Sequence, residues 1–259
     1  MKTVGVGGFG KAKICTYKGK TAVVKYVNTA GSPQATLATC TINRQSAKTE
    51  GEIMKLFDSI YIAEIYGIEG HAIYMKYYDH GSLREQIDKG GADKYRYFYA
   101  KQICKGLKVI HDINYVHSDL KASNILVEKF DTGGLSLFIS DFGGARLKGT
   151  WPICFTPGFA PANFFDKPIC FEDDIYSLGK LLIELFGKYK QNKVAEINYD
   201  NYKKYLTVGM FSNNYEDKSD DYTTKNKIYD YVHECINEDS KKRPSLDTLL
   251  GYFEKISIY

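Results

Sequence analysis

Two polar segments, each set against an apolar run, constrain this chain most. The first is Tyr115-Val-His-Ser-Asp-Leu-Lys-Ala-Ser-Asn-Ile-Leu126, and the second is Ile139-Ser-Asp-Phe-Gly143. Ile125-Leu126-Val127 flanks the first and Leu135-Ser-Leu-Phe-Ile139 leads into the second, so each polar set stands at the edge of a buried strand. Asp119 is suited to accept a proton from an attacking hydroxyl, and Lys121, two residues on, to neutralise negative charge in transit. Asn124 and Asp141 carry oxygen ligands of the kind that a hard cation such as Mg²⁺ takes, usually through one or two carboxylates. Such groups at the mouth of a cleft fit chemistry that is mostly positioning and charge stabilisation.

His-x-Asp-x-Lys-x-x-Asn followed by Asp-Phe-Gly resembles the catalytic and metal-binding loops of the eukaryotic-type protein kinases. A lone Asp-Phe-Gly is weak; the two motifs in this order, with about the family's gap between them, are strong. The resemblance covers nearly the whole chain, from Val4 to about Ile256, and implies a bilobal α+β fold. The small lobe (1–77) is expected to hold a five-stranded antiparallel sheet and one helix, and the larger lobe (78–259) to be mainly helical. It also implies ATP and Mg²⁺ as cofactors, with Asn124 and Asp141 as metal ligands and Asp119, Lys121, Lys25 and Glu50 as catalytic residues.

Bulk properties exclude several other classes. The 259 residues suffice for one large domain or two packed lobes, and 44% hydrophobic with 25% charged residues is an ordinary globular balance. A net charge of +4 is mild and argues for neither nucleic-acid nor membrane binding, although it suits an acidic partner. The six cysteines are scattered singly with no Cys-x-x-Cys pair, which points to reduced thiols inside the cell. No signal peptide and no apolar run of membrane-spanning length is present, so an intracellular protein is expected, cytoplasmic or, on the basic run Lys241–Arg243, nuclear. The 22 tyrosines read as packing.

Near the N-terminus, Gly5, Gly7 and Gly10 have Gly-x-Gly-x-x-Gly spacing, which dinucleotide-binding folds share. The residues after Gly10 discriminate. Lys11–Tyr17, a Lys-Gly turn and Thr21–Val27 read as a β-hairpin, whereas a dinucleotide fold starts a helix at the third glycine. A glycine-rich strand pair lets backbone N–H groups approach phosphates closely. Gly5, Val6, Gly7, Gly8, Phe9 and Gly10 are therefore candidate nucleotide contacts, with Phe9 at the tip closing over the ligand. Lys25, in Val23-Val-Lys25, matches the family's strand lysine. Its partner is sought on the helix read over 48–57, where Glu50 is preferred on register and Glu52 competes. Residues 28–47 read as a polar loop.

Further strands are expected over Ile60–Tyr66 and Ala72–Tyr78, joined by a turn holding Gly67 and Gly70, with Asp79–Leu83 as the hinge. By the resemblance Met75 is the gatekeeper beside the adenine, backbone groups near Lys76 and Tyr78 bond its edge, and Leu126 contacts it. A short helix is read over Leu83–Lys89 and a long one over Tyr95–Asp112, whose apolar positions 99, 103, 107 and 110 share one face. His80 reads as an exposed loop residue. His117 reads as a core histidine tying its loop to Phe142, and Asp174 as a bond to the backbone of that loop. The activation segment runs from Gly143 to Phe159, where Thr156 is expected to bond Asp119 and Lys121. Trp151 is equally a packing anchor or a substrate contact. Asp217–Asp221 reads as a solvated acidic cluster, and Pro244 as the start of the last helix.

The pattern is broken in three places. Ser118 replaces the arginine that in the family reads a phosphate on the activation segment, so activity without such phosphorylation is expected. Ala162 stands where the family has a glutamate that pairs with the arginine corresponding to Arg243, so Arg243 needs another partner or exposure. The first strand is brief, and the chain leaves no room for a regulatory domain. The expected function is transfer of the ATP γ-phosphate to Ser/Thr hydroxyls of proteins; Glu184 and Glu85 could favour basic residues near the target hydroxyl, but one or two acids define no preference and the substrate sequence is open. A pseudokinase and a related small-molecule kinase are the alternatives, and oligomeric state is open.

Overall fold

A computed structural model describes residues 3–7, 10–26, 48–90, 95–129, 134–206 and 222–256, with the backbone alone at 4–7, 10, 11 and 222–226. The N-terminal part is a five-stranded antiparallel sheet of β1 (Thr3–Gly7), β2 (Gly10–Tyr17), β3 (Lys20–Tyr26), β4 (Ile65–Glu69) and β5 (Ala72–Lys76), ordered β1-β2-β3-β5-β4. Lys18 and Gly19, both at positive φ, turn β2 into β3, a conformation glycine adopts without steric cost. Helix α1 spans 48–54 and lays Ile53 and Met54 into the core under the sheet. The expected helix to 57 stops short, in a turn over 55–56.

The strand expected over Ile60–Tyr66 is displaced. Residues 61–63 leave the sheet to pair with the C-terminal part: Ile139 donates to Tyr61 O (2.8 Å) and Ala63 donates to Ile139 O (2.9 Å). The β4 pairing therefore starts only at Ile65 and runs through Gly67, which lies inside the strand at a register shift and not in a turn. A Cβ at Gly67 would stand 2.5 Å from the Tyr17 hydroxyl, so a larger residue here would have to displace the Tyr17 ring.

Beyond Lys76 the chain is mainly helical. It runs through α2 (Leu83–Asp88), α3 (Arg96–Asp112), β6 (Tyr115–Val116), β7 (Ile125–Lys129), β8 (Leu135–Ile139), β9 (Arg146–Leu147), α4 (Phe171–Gly187), α5 (Gln191–Glu196), α6 (Tyr202–Tyr205), α7 (Tyr222–Cys235) and α8 (Leu246–Lys255). Helix α4 is the axis of this lobe. Its apolar residues face every direction, as befits a helix buried all round, and Leu178, Leu181, Leu182 and Ile183 have no exposure. The face of α3 read from periodicity is observed, with Tyr99, Ile103, Leu107 and Ile110 all buried. Helix α8 starts at Leu246, not Pro244, because the Ser245 side chain accepts from Thr248 N (3.1 Å) and caps it.

β7 and β8 pair from Ile125↔Ile139 to Lys129↔Leu135, and this hairpin sets the two polar segments side by side. Phe9 and Gly8, the loop at 28–47 and the acidic cluster at 217–221 lie outside the described residues. The described cysteines are free thiols, and no described helix is long and apolar enough to cross a membrane.

Candidate active site

The site begins with α4. Its Asp174, fully buried, accepts from His117 N (2.8 Å) and Ser118 N (2.9 Å), and His111 Nε2 lies 3.0 Å away. Two successive amides are thereby fixed while Ser118 takes φ +69°, a left-handed conformation uncommon for a non-glycine residue. Ten residues along the same helix, about 15 Å at 1.5 Å per residue, Glu184 accepts from Ala122 N (2.9 Å). One rigid helix thus grips both ends of the 117–122 loop.

Held this way, Asp119 faces the cleft. Its Oδ1 accepts from Thr156 Oγ1 (2.5 Å), and its Oδ2 accepts from Lys121 Nζ (2.7 Å) and Asn124 Nδ2 (3.0 Å). Lys121 also donates to Thr156 Oγ1 (2.5 Å). His117 is fully buried, with Nε2 at 3.1 Å from Ser140 O and its ring edge-on to Phe142 at 5.0 Å. Phe142 in turn packs against Phe57 (5.1 Å), which follows α1.

Lys25 is the hub on the opposite wall. Its Nζ lies 2.7 Å from Glu50 Oε1 and 2.6 Å from Asp141 Oδ1. Glu52 points elsewhere, about half exposed and 3.5 Å from Lys55, so the register that favoured Glu50 is the one the helix adopts. Burial alone would lower the Lys25 ammonium, but the Glu50 and Asp141 carboxylates override it and hold it above the ordinary lysine range. Burial raises Glu50, with Lys25 pulling the other way; for Asp141 burial also acts upward, but Lys25 prevails and lowers it. Asp141 sits at φ +62°, just past β8, which turns its carboxylate out of the strand toward Lys25.

These groups line one cleft of about 1250 Å³ that runs from Ala12, Val23 and Met75 past Leu126 to Phe155 and Thr156. Lys76 and Tyr78 lie on its wall, and the Tyr78 ring is buried against Phe138 (4.6 Å). The volume exceeds the roughly 300–1,000 Å³ typical of a single small-molecule pocket. The backbone of Gly5, Val6, Gly7 and Gly10 crosses the β1–β2 turn, where Gly7 pairs with Gly10. Because Gly10 opens a strand and not a helix, a dinucleotide-type phosphate loop is excluded.

The residues present fit Mg²⁺. Asn124 spends its Nδ2 on Asp119, which leaves Oδ1 for the cleft it lines, and Asp141 meets Lys25 through Oδ1, which leaves Oδ2. Among the described residues no cluster of three or more His, Cys, Asp or Glu could hold a metal by protein ligands alone. A sparse set of hard oxygens is what a cation completed by phosphate oxygens and water needs.

Two expectations change, and a third, that Arg243 finds another partner, is met. Glu184 is not available to a basic substrate residue: it is fully buried, bound to Ala122 N and covered by Arg84 at 3.5 Å. Arg84 is further engaged with Asp88 (2.7 Å), its i+4 neighbour on α2, and with Tyr189 O (2.7 Å), a contact that no spacing in the sequence signals. His80 is half-buried at the cleft wall, 2.6 Å from Asp79 Oδ1, instead of standing free in solvent. Arg243 is buried, and three carbonyl oxygens replace the missing acid: Asn237 O (2.7 Å), Glu172 O (2.8 Å) and Glu238 O (3.1 Å), with Asp173 Oδ1 at 3.6 Å. The Glu238 carboxylate meanwhile accepts from Ala162 N (3.0 Å), so an acid does serve this loop, from a different part of the chain.

A five-stranded lobe set over a helical one, with a lysine, two aspartates and an asparagine converging on their shared cleft, defines a bilobal α+β protein. The chain belongs to the protein kinase domain family, whose sequence model matches residues 1–252. Among curated relatives, the mouse (Mus musculus) serine/threonine-protein kinase DCLK3 is 28% identical over 155 residues. That match covers 58% of this chain and 19% of the relative, so the chain corresponds to only about a fifth of that protein. The family generally uses ATP and Mg²⁺ and acts on proteins.

Proposed function

We propose that the chain is a serine/threonine protein kinase that transfers the ATP γ-phosphate to protein Ser/Thr hydroxyls, without needing phosphorylation of its activation segment. The observation that carries this is the triangle of Asp119, Lys121 and Thr156, closed by bonds of 2.5–2.7 Å at the end of a cleft that also holds Lys25 and Asp141. An acceptor hydroxyl entering beside Thr156 meets the Asp119 carboxylate, which orients it and takes its proton as the new oxygen–phosphorus bond forms and the bond from the γ-phosphorus to the bridging oxygen breaks, ADP leaving with that electron pair. Lys121 stands 2.7 Å from that carboxylate and offsets charge on the moving phosphoryl group. Lys25 steadies the phosphates, and Asn124 and Asp141 are the residues that would hold Mg²⁺, which would supply neutralisation of the phosphate charge.

Independence from phosphorylation is supported by how the segment is already pinned. β9 pairs with β6 (Tyr115↔Leu147, Val116↔Arg146), and Gly149 N and Thr150 O bond to Ile169 (2.9 Å each). Ser118 offers no cation to a phosphate. The Ser/Thr assignment is supported by Lys121 with Thr156 and by the name of the DCLK3 relative.

The test is to incubate the purified chain with labelled ATP, Mg²⁺ and mixed protein substrate, beside Asp119→Asn and Asp141→Asn. Label on serine and threonine that falls about 10²–10⁴-fold in Asp119→Asn is expected, the usual worth of a positioned base. Nucleotide binding without transfer would identify a pseudokinase instead, and label on tyrosine or on a small metabolite would also overturn the assignment.

A further inference from the structure

The net charge of +4 is an average over two unlike parts. Residues 1–49 carry seven lysines, one arginine and no aspartate or glutamate, so the rest of the chain is net negative. Much of this charge falls on the small-lobe sheet, whose five strands hold a single acid, Glu69 at the end of β4. Residues directly opposite in an antiparallel sheet share a face. The register therefore puts Lys13, Val24 and Tyr74 on one side, and Ala12, Lys25 and Ile73 on the other, toward the cleft. By alternation along β2 and β3, Tyr17, Lys20 and Tyr26 join the first side, away from the cleft. That outer face is built from lysine–tyrosine pairs. The Lys13 ammonium lies 5.4 Å from the Tyr26 ring centre, that of Lys18 5.1 Å from Tyr17, and that of Lys20 4.9 Å from Tyr66. Tyr17 and Tyr74 stack on the same face, 4.1 Å apart and 18° from parallel. Lys18 and Lys20 are exposed, and Tyr26, Tyr66 and Tyr74 partly so. A single lysine over a ring is commonly a solvated chain resting on apolar surface. Three on one face, none of them in an ion pair among the described residues, make a charged patch.

We infer that this outer face binds single-stranded nucleic acid, with the lysines on phosphates and the tyrosine rings stacked on bases. It makes no use of the cleft and stands independently of the kinase assignment. What selects a single strand among polyanions is the pairing, since each ammonium comes with a ring, the two features that a phosphate and its base take. A duplex keeps its base faces in its own stack and offers only the phosphates. From Lys13 to Tyr17, β2 covers about 14 Å, room for about four nucleotides at roughly 3.4 Å per stacked residue. That is the lower end of the site sizes of single-strand stacking platforms. Each ammonium stands over a ring face that a base would take, so binding is an exchange. The flexible lysine stem carries its charge onto a phosphate as the base replaces it on the ring. An ammonium–ring contact at an exposed position is weaker than base stacking, and the phosphate contact, with its release of counterions, comes in addition.

The experiment follows the anisotropy of a fluorescein-labelled oligothymidylate of about 12 nucleotides as the purified chain is added, over a range of salt. An abasic strand of the same length, the same strand in duplex, and phosphatidylserine vesicles are run beside it. The expected result is binding of the single strand at least about fivefold tighter than of the abasic strand or the duplex, unchanged by saturating ATP and Mg²⁺. Log affinity should fall against log salt with a slope of about −2, from about −0.7 for each of the three lysines. Lys18→Asn keeps the turn, because Asn-Gly is favoured there, and should reduce that slope by about 0.7. Tyr26→Leu, and Tyr66→Leu on the edge strand β4, should each weaken binding about fivefold or more and leave the slope as it is. Circular dichroism melts check that the variants fold. Equal affinity for the abasic strand, displacement by ATP, no binding at about 100 μM chain, or variants that bind like wild type each overturn the inference. Preference for the vesicles would assign the patch to an anionic membrane and overturn it too. Oligonucleotide binding as described, in a chain that transfers no phosphate, upholds this face and sinks the kinase assignment.

Discussion

Glu184 shows how far a residue's chemistry departs from its identity once buried. Burial pushes its carboxyl up to about 7, and Ala122 N and Arg84 restore only part of what water would give. Arg84 is a weak counter-ion here because it stands 3.5 Å off and divides its donors among Asp88 and Tyr189 O. The folded state therefore keeps a proton that the unfolded chain releases near pH 4.5. Stability attributable to this group is full below about pH 4.5 and is lost as pH rises through 7, a loss on the order of 3 kcal/mol. Glu184→Gln keeps the acceptor for Ala122 N and cannot ionise, so denaturant midpoints across about pH 4.5–8 should fall less steeply in the variant than in wild type. Identical slopes would exclude this role. The signal that separates Glu184 from an exposed substrate-facing acid is the run Leu181-Leu-Ile-Glu-Leu-Phe186, apolar on every side of the helix, which marks all-round burial of α4. By contrast Lys25 and Glu50 were legible only through the family resemblance, being 25 residues apart, while Asp119, Asn124 and Asp141 stood in two short motifs beside apolar runs.

At the scale of elements, the activation segment is held by backbone pairing, and its side chains contribute locally. Thr150 Oγ1 donates to Leu147 O (2.7 Å) at an exposed turn and touches nothing in the cleft. Thr150→Ala should cost at most about 0.5–1.5 kcal/mol of stability and leave initial rates of labelled phosphate transfer within twofold of wild type. Abolished turnover in a folded variant would mean that the segment does need a modified Thr150. The elements themselves were read well where periodicity was long, as in α3, and poorly where a segment serves two partners. Residues 60–64 look like strand, and Ile62 does make a bridge, but with Ile139 of the other lobe instead of the sheet beside it. Arg243 illustrates the same limit. Its three carbonyl partners are backbone atoms, present at every position, so no residue pattern could have announced them.

Across the whole molecule, the two lobes are joined beside the cleft by Lys76 of β5 and Glu128 of β7. Lys76 Nζ lies 2.8 Å from Glu128 Oε1 and stands over the rings of Tyr78 (5.3 Å) and Phe138 (5.8 Å). Both groups are partly exposed, so the pair contributes only about 0.2–1 kcal/mol and is screened by salt. Glu128→Gln should speed nucleotide release by about twofold to fivefold at low ionic strength, with the difference from wild type vanishing in high salt. Stopped-flow displacement of a fluorescent nucleotide measures this, and a variant that releases no faster would show that the strap does not restrain opening.

Lys25 bridging Glu50 and Asp141 has a consequence for how a ligand arrives. The ammonium is already doubly satisfied, so an incoming phosphate does not fill a waiting positive hole but trades places with a carboxylate. Displacing Asp141 frees an oxygen at the same moment that the cation accompanying the phosphate needs one. On the function proposed above, nucleotide and metal would therefore enter as a coupled exchange, with an affinity set by the difference between two well-made sets of contacts.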